Sequence, residues 1–104
     1  MGYIFVYITN PSKSVAKKVA ECLIKKKLIA CANIFQTNSL YRWKGRIADE
    51  KEFNLIAKTT SSKFEAVKRE VEKIHPYAIP CITKIPVSFN KEYAKWIERS
   101  INLK

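Results

Sequence analysis

The feature that most restricts how this chain can fold is a strand too long for its own domain. From Cys31 the apolar period falls towards two, and strand character persists to Trp43 and Lys44 before Gly45 breaks it. Fourteen residues at about 3.3 Å each span roughly 46 Å, whereas a compact chain of 104 residues has a radius of gyration near 13 Å and a diameter of about 33 Å. Either the strand bends at a bulge, for which polar Gln36 to Ser39 is the candidate, or it projects beyond the body. A projecting strand invites a partner subunit.

The other elements follow from local pattern. Tyr3 to Thr9 is β-branched and aromatic with no polar alternation before Thr9, which predicts a central strand covered on both faces. Asn10-Pro11-Ser12 supplies a cap residue and a proline for a first helix, whose apolar stripe runs through Val15, Val19, Ala20, Leu23 and Ile24 as far as Leu28. A turn over Gly45 to Asp49 returns the chain into a strand from Glu50 to Thr60, with Phe53, Leu55 and Ala57 on one face. Ser62 and Glu65 have capping-box spacing, and Phe64, Val67, Val71 and Ile74 form a second helical stripe that Pro76 terminates. Ile79 to Val87 is a further strand whose prolines, Pro80 and Pro86, push its ends to an edge. Asn90 caps a last helix with Tyr93, Trp96, Ile97 and Ile101 on its apolar side.

The order β-α-β-β-α-β plus a terminal helix is the split βαβ, ferredoxin-like plan of the α+β class, an antiparallel sheet with two helices on one face. The second sheet face must then be covered by the terminal helix or by other subunits, and an oligomer is the expectation. Residues 1–104 form one domain: 47% apolar content supplies one core, and two glycines and four prolines leave no linker.

Composition also restricts chemistry. With Gly2 and Gly45 the only glycines, a phosphate-binding loop, a dinucleotide fingerprint and a nucleophile elbow are excluded. Asp49 is the only aspartate and His75 the only histidine, which leaves little for a Ser-His-Asp triad, so the chain reads as non-enzymatic. Cys22, Cys31 and Cys81 are odd in number and lack Cys-x-x-Cys spacing, pointing to reduced thiols in a cytoplasmic protein. The longest apolar run, Tyr3 to Ile8, is far below the roughly 20 residues of a membrane span. The N-terminus lacks a basic n-region and a small-residue cleavage site, and Val6 stands where a myristoylation pattern after Met1-Gly2 needs Ser or Thr, so an unprocessed chain is the expectation.

The net charge of +11 suggests a polyanionic partner at first sight. The excess is even along the chain, and sixteen of the twenty basic residues are lysine, whereas base reading and bidentate phosphate clamps favour arginine. That spread argues against nucleic acid and for a solvated shell. Lys25-Lys26-Lys27 falls at the end of the first helix, where cations complement the macrodipole.

Five positions carry candidate functions. His75 either caps carbonyls at the end of the second helix or pairs with Cys81 as a soft N,S site for Cu(I) or Zn, which needs ligands from another subunit to close. Tyr41 and Trp43, alternating with Arg42 and Lys44, form either a stacking platform or an aromatic face packed on a partner. Lys58 is an isolated charge in an apolar strand, either snorkelling at an edge or supplying the positive end of an anion cleft. Cys22 and Cys31 read as core packing.

With these segments placed, the chain resembles the CutA divalent-cation tolerance family. The matching pieces are the opening strand into Thr9-Asn10-Pro11, Leu28-Ile29-Ala30-Cys31-Ala32-Asn33, Tyr41-Arg42-Trp43-Lys44-Gly45-Arg46-Ile47, Lys58-Thr59, and His75-Pro76-Tyr77 with Pro80. The resemblance implies a tight homotrimer with sheets facing inward and hairpin strands reaching across to neighbours. It implies that Tyr41, Trp43, Lys58, His75 and Tyr77 line a cleft between subunits. Copper-binding members use a cysteine, the histidine and a glutamate. Here those positions carry Ile8, His75 and Cys81, and the acid that often follows the tyrosine is Ala78, so weak copper binding at His75 and Cys81, with no required cofactor, is what carries over. The expected function is a non-enzymatic, trimeric response to metal ions. The alternatives are a trimeric signalling module of the nitrogen-regulatory (PII) type, binding a small anion or nucleotide between subunits, and a nucleic-acid binder using the basic charge.

Overall fold

A computed structural model describes residues 2–102, so Met1 and the last two positions of the expected 1–104 span lie outside the described residues. Strand β1 (Tyr3–Asn10) leads into helix α1 (Lys13–Lys25), then β2 (Cys31–Trp43) and β3 (Arg46–Thr60), a short 3-10 turn (Ser61–Lys63), helix α2 (Phe64–Ile74), β4 (Ile82–Val87) and helix α3 (Lys91–Ile101). The strands form one antiparallel sheet in the order β2-β3-β1-β4, the ferredoxin-like α+β plan with an added terminal helix.

The long strand does not bend. Residues of β2 and β3 pair in unbroken register from Cys31↔Lys58 to Trp43↔Arg46, with no bulge at Gln36 to Ser39. Strand β1 covers β3 only as far as Asn10↔Phe53, so the pairs from Thr37↔Glu52 outward form a two-stranded arm that leaves the body. The arm accounts for principal extents of 48 × 25 × 20 Å in a chain whose radius of gyration is 14.4 Å.

Period-2 alternation sorts β1 between two environments. Ile4, Val6 and Ile8 are fully buried with Leu55 and Ala57 against Val19, Leu23, Val67 and Val71 of α1 and α2. Each such side chain contributes about 1.5–3 kcal/mol relative to exposure. Tyr3, Phe5 and Tyr7 point to the opposite face and are half-buried, so the covering there is partial. Helix α3 and the segment leading into it supply it at one end: Phe89, just before the helix, meets the rings of Tyr3 and Phe5, Tyr3 bonds Glu98, and Tyr93 lies against Lys58 and Cys31. Phe35 and Ile85 remain exposed on that sheet.

Several local expectations are corrected. Ser12, not Asn10, caps α1 by accepting from the Val15 amide at 3.2 Å, and Asn10 is instead a buried strand end. Helix α1 stops at Lys25, short of Leu28. The Leu28 amide donates to the Leu23 carbonyl and that of Lys27 to Ile24, a Schellman ending with Lys27 at φ 57°, and Lys26 reaches Glu70 of α2 at 2.7 Å. The capping box is absent: Ser62 Oγ pairs with Thr60 Oγ1 at 2.9 Å, and the 3-10 turn starts α2 at Phe64. The hairpin turn is shorter than expected. Lys44 and Gly45, both with positive φ (49° and 77°), make the two-residue type I′ connection that matches strand twist, so β3 begins at Arg46 rather than Glu50. Strand β4 begins at Ile82 rather than Ile79, and it is an edge strand, as its prolines require. Among the described residues no helix is long and apolar enough to cross a membrane.

The two left-handed positions give opposite expectations. Lys27→Gly should raise stability by about 0.5–1 kcal/mol and Gly45→Ala should lower it by about 1–2 kcal/mol, because only glycine adopts positive φ freely. Urea unfolding midpoints check both, and a loss of stability in Lys27→Gly contradicts the left-handed helix ending.

Candidate functional site

The arm meets the body where β1 ends. Asn10 is fully buried and its amide donates to the carbonyls of Ile8 (3.2 Å) and Phe53 (2.9 Å), which fixes its side-chain oxygen as the acceptor facing His75. His75 ends α2, its amide bonded to Val71, and Pro76 prevents another turn. His75 is 8% exposed. Nδ1 accepts from the Tyr77 amide at 3.2 Å, so Nε2 carries the proton and donates to Thr9 O (2.9 Å) and Asn10 Oδ1 (3.1 Å). Burial holds the ring below its ordinary pKa of 6.5 and keeps it neutral, against the opposing effect of its bond to Thr9.

His75 thereby orders the segment that follows. Its ring packs on Tyr77 at 4.8 Å between centroids, and the Tyr77 hydroxyl donates to Glu52 Oε2 of the arm at 2.6 Å. Burial first, and then the Glu52 carboxylate, push the Tyr77 phenol far above its ordinary pKa. Tyr41 on the facing strand donates to Glu50, which raises its phenol pKa too. Between these groups lies a cavity of about 490 Å³ lined by Thr9, Tyr41, Trp43, Glu52, Pro76, Tyr77, Ala78, Ile79 and Cys81.

The expected residues are only partly gathered. Tyr41, Trp43, Tyr77 and Cys81 line this cavity, and His75 braces its floor from behind with both ring nitrogens engaged. Cys81 is exposed, with Thr83 Oγ1 3.5 Å from its sulfur. Lys58 is elsewhere in the chain: six residues along β3 from Glu52, about 20 Å at strand rise, it donates to Tyr93 OH at 3.3 Å and lies over that ring. Cys22 and Cys31 are half-buried, and Cys31 also meets Tyr93 OH. Among the described residues no three of His, Cys, Asp and Glu gather as a metal site. Sequence reasoning missed Asn10, read as a helix cap, and Glu52, whose place beyond the end of β1 has no sequence signal.

Fold and site together define a ferredoxin-like chain that carries a projecting hairpin and a tyrosine-tryptophan cavity at its root. The family described as CutA1 divalent ion tolerance protein matches residues 4–100. The divalent-cation tolerance protein CutA of Archaeoglobus fulgidus is 44% identical over 98 residues, covering 93% of this chain and 96% of that protein. That of Pyrococcus horikoshii is 40% identical over 95 residues, covering 90% and 93%. Among solved structures, the periplasmic divalent cation tolerance protein CutA from A. fulgidus superposes with a TM-score of 0.93 at 42% identity, covering 96% of this chain and 99% of that one. CutA1 from Oryza sativa gives 0.94 at 33% identity, covering 100% and 97%. The chain belongs to the CutA family of divalent-cation tolerance proteins.

The neutral, buried His75 makes stability depend on pH. The unfolded ring binds its proton near 6.5 and the folded ring only at lower pH, so stability is full above 6.5 and falls as pH drops through that value towards the folded pKa. His75 is the only histidine, so His75→Gln should flatten the decline in urea midpoint between about pH 7.5 and about pH 5. An unchanged decline in the variant contradicts the burial of a neutral ring.

Proposed function

We propose that the chain acts in the response to divalent metal ions as a non-enzymatic homotrimer with weak copper binding at the subunit junction. The arm carries this reading. It bears Tyr41 and Trp43 on one face and Leu40 and Ile47 on the other, exposed by 41%, 61%, 68% and 71%. A two-stranded hairpin is marginal in water, and apolar groups on both faces need covering on both. Further copies of the chain supply that cover and extend over the half-open sheet face with Phe35 and Ile85.

The names of the relatives state tolerance and no catalytic activity, and the sole imidazole is tied at both nitrogens. With Cys22, Cys31 and Cys81 all free, a reducing cytoplasm is the proposed location. For copper, the exposed Cys81 sulfur is the accessible soft donor. His75 joins it only by releasing the Tyr77 amide from Nδ1, and that lost hydrogen bond is what keeps the binding weak. None of the relatives reported above is a nitrogen-regulatory signalling protein, so the signalling reading gains no support.

Two measurements test the proposal. Light scattering should give three times the 12.0 kDa chain mass; a monomer at all concentrations contradicts it. Titration with Cu(I) against a competing chelator should show affinity falling by about tenfold or more in Cys81→Ser and in His75→Gln. Equal affinity in all three proteins removes both residues from the site.

A further inference from the structure

The sheet face away from α1 and α2 carries a negative charge towards one end and a positive charge at the other. Alternate residues of β3 point the same way, so Glu52, Asn54, Ile56 and Lys58 share this face, with Phe35 of β2 and Ile85 of β4 beside them. Glu52, at the root of the arm, is 8% exposed and is met by the uncharged Tyr77 hydroxyl. Lys58 is half-buried and is met by another phenol, that of Tyr93, and by its ring. Among the described residues neither side chain has an opposite charge within ion-pair distance.

Partly desolvated charges of this kind are costly when left alone. The two cannot neutralise each other inside one chain, because six residues at strand rise separate them by about 20 Å, more than twice the screening length of about 8 Å at physiological salt. A second copy brings them within reach. The proposed cover for this half-open face is a further copy of the chain, whose own β3 carries the same two charges, so each sheet offers what the other lacks. Arg46 shares this side of β3 but stands at the exposed tip of the arm, where an ion pair contributes little.

We propose that Glu52 of one copy and Lys58 of the next form a buried ion pair across the subunit interface, flanked by the phenols of Tyr77 and Tyr93. In a cyclic assembly each copy gives Glu52 to one neighbour and Lys58 to the other, so three copies close with neither charge left over. Tyr77 donates to the carboxylate and Tyr93 accepts from the ammonium, which supplies the extra hydrogen bonds that a desolvated pair needs. The inference rests on the homotrimer proposed above and names the side chains that set its register: a copy displaced along the sheet face loses the pair.

A double-mutant cycle on the full chain tests the pair, read by light scattering at the urea concentration that half-dissociates the wild type. Glu52→Gln still accepts from Tyr77, and Lys58→Met keeps the apolar stem. Each alone should raise the chain concentration at half-association by about tenfold or more, and the two together by no more than either alone. Side chains about 20 Å apart that act only within their own chain would add instead, to about a hundredfold. Glu52→Gln combined with Arg46→Met is the comparison and should be additive. No loss in either single variant, additive losses for Glu52 and Lys58, or coupling of Glu52 to Arg46 in place of Lys58 overturns the pair while leaving the homotrimer standing. A wild-type chain that is monomeric at every concentration overturns both.

Discussion

The structure depends on one uninterrupted hydrogen-bonded ladder. Register between β2 and β3 runs without a bulge from the core to the turn, so Cys31↔Lys58 at one end rigidly positions Trp43↔Arg46 at the other. Side-chain period 2 then dictates that Tyr41, Trp43, Glu50 and Glu52 all emerge on one face of the arm. A slip of one residue between β2 and β3 would put the aromatics and the carboxylates on opposite faces. The type I′ turn at Lys44-Gly45 holds that register with no residue to spare.

The second constraint is the polar knot at the end of β1. Asn10 ties β1 to β3 at Phe53, His75 ties α2 to Asn10 and Thr9, and Tyr77 ties the next segment to Glu52. Each member is oriented by the one before it, and each is wholly or partly buried, so the bonds are worth more than at the surface and more costly to leave unmade. His75 is thus an organiser of the cavity, and its neutral state is part of that role. A metal ion at this ring competes with the bond that positions Tyr77.

Much of this was legible in the sequence because periodicity is a local signal. The stripe Phe64, Val67, Val71, Ile74 and the stop at Pro76 mark α2 without reference to anything distant, and the same holds for β1 and the body of β2. The choice between a bulge and a projection was not local, since Gln36 to Ser39 is polar enough for either, and the ladder settled it. Lys27 and Lys44 gave no warning of positive φ, because lysine is no signal for a left-handed backbone. Asn10 looked like a cap beside Pro11, yet burial against Phe53 outweighed capping and passed the cap to Ser12. Glu52 was invisible as a site residue: its partner is Tyr77, 25 positions on, and no short-range pattern joins them. Lys58 is grouped with the aromatics by resemblance, but within one chain it lies on β3, at the opposite end of the β2–β3 ladder from Trp43.

An arm of two strands with apolar side chains on both faces holds its ladder only under cover, and further copies of the chain are the proposed cover. Amide hydrogen exchange along Thr37 to Glu52, followed as protein concentration is lowered, tests this most directly. The account predicts protection in the arm comparable to that of β1 at concentrations where copies associate, and its loss on dilution in step with the fall in mass. Rapid exchange of the arm in the associated protein, or full protection in a demonstrated monomer, would contradict it.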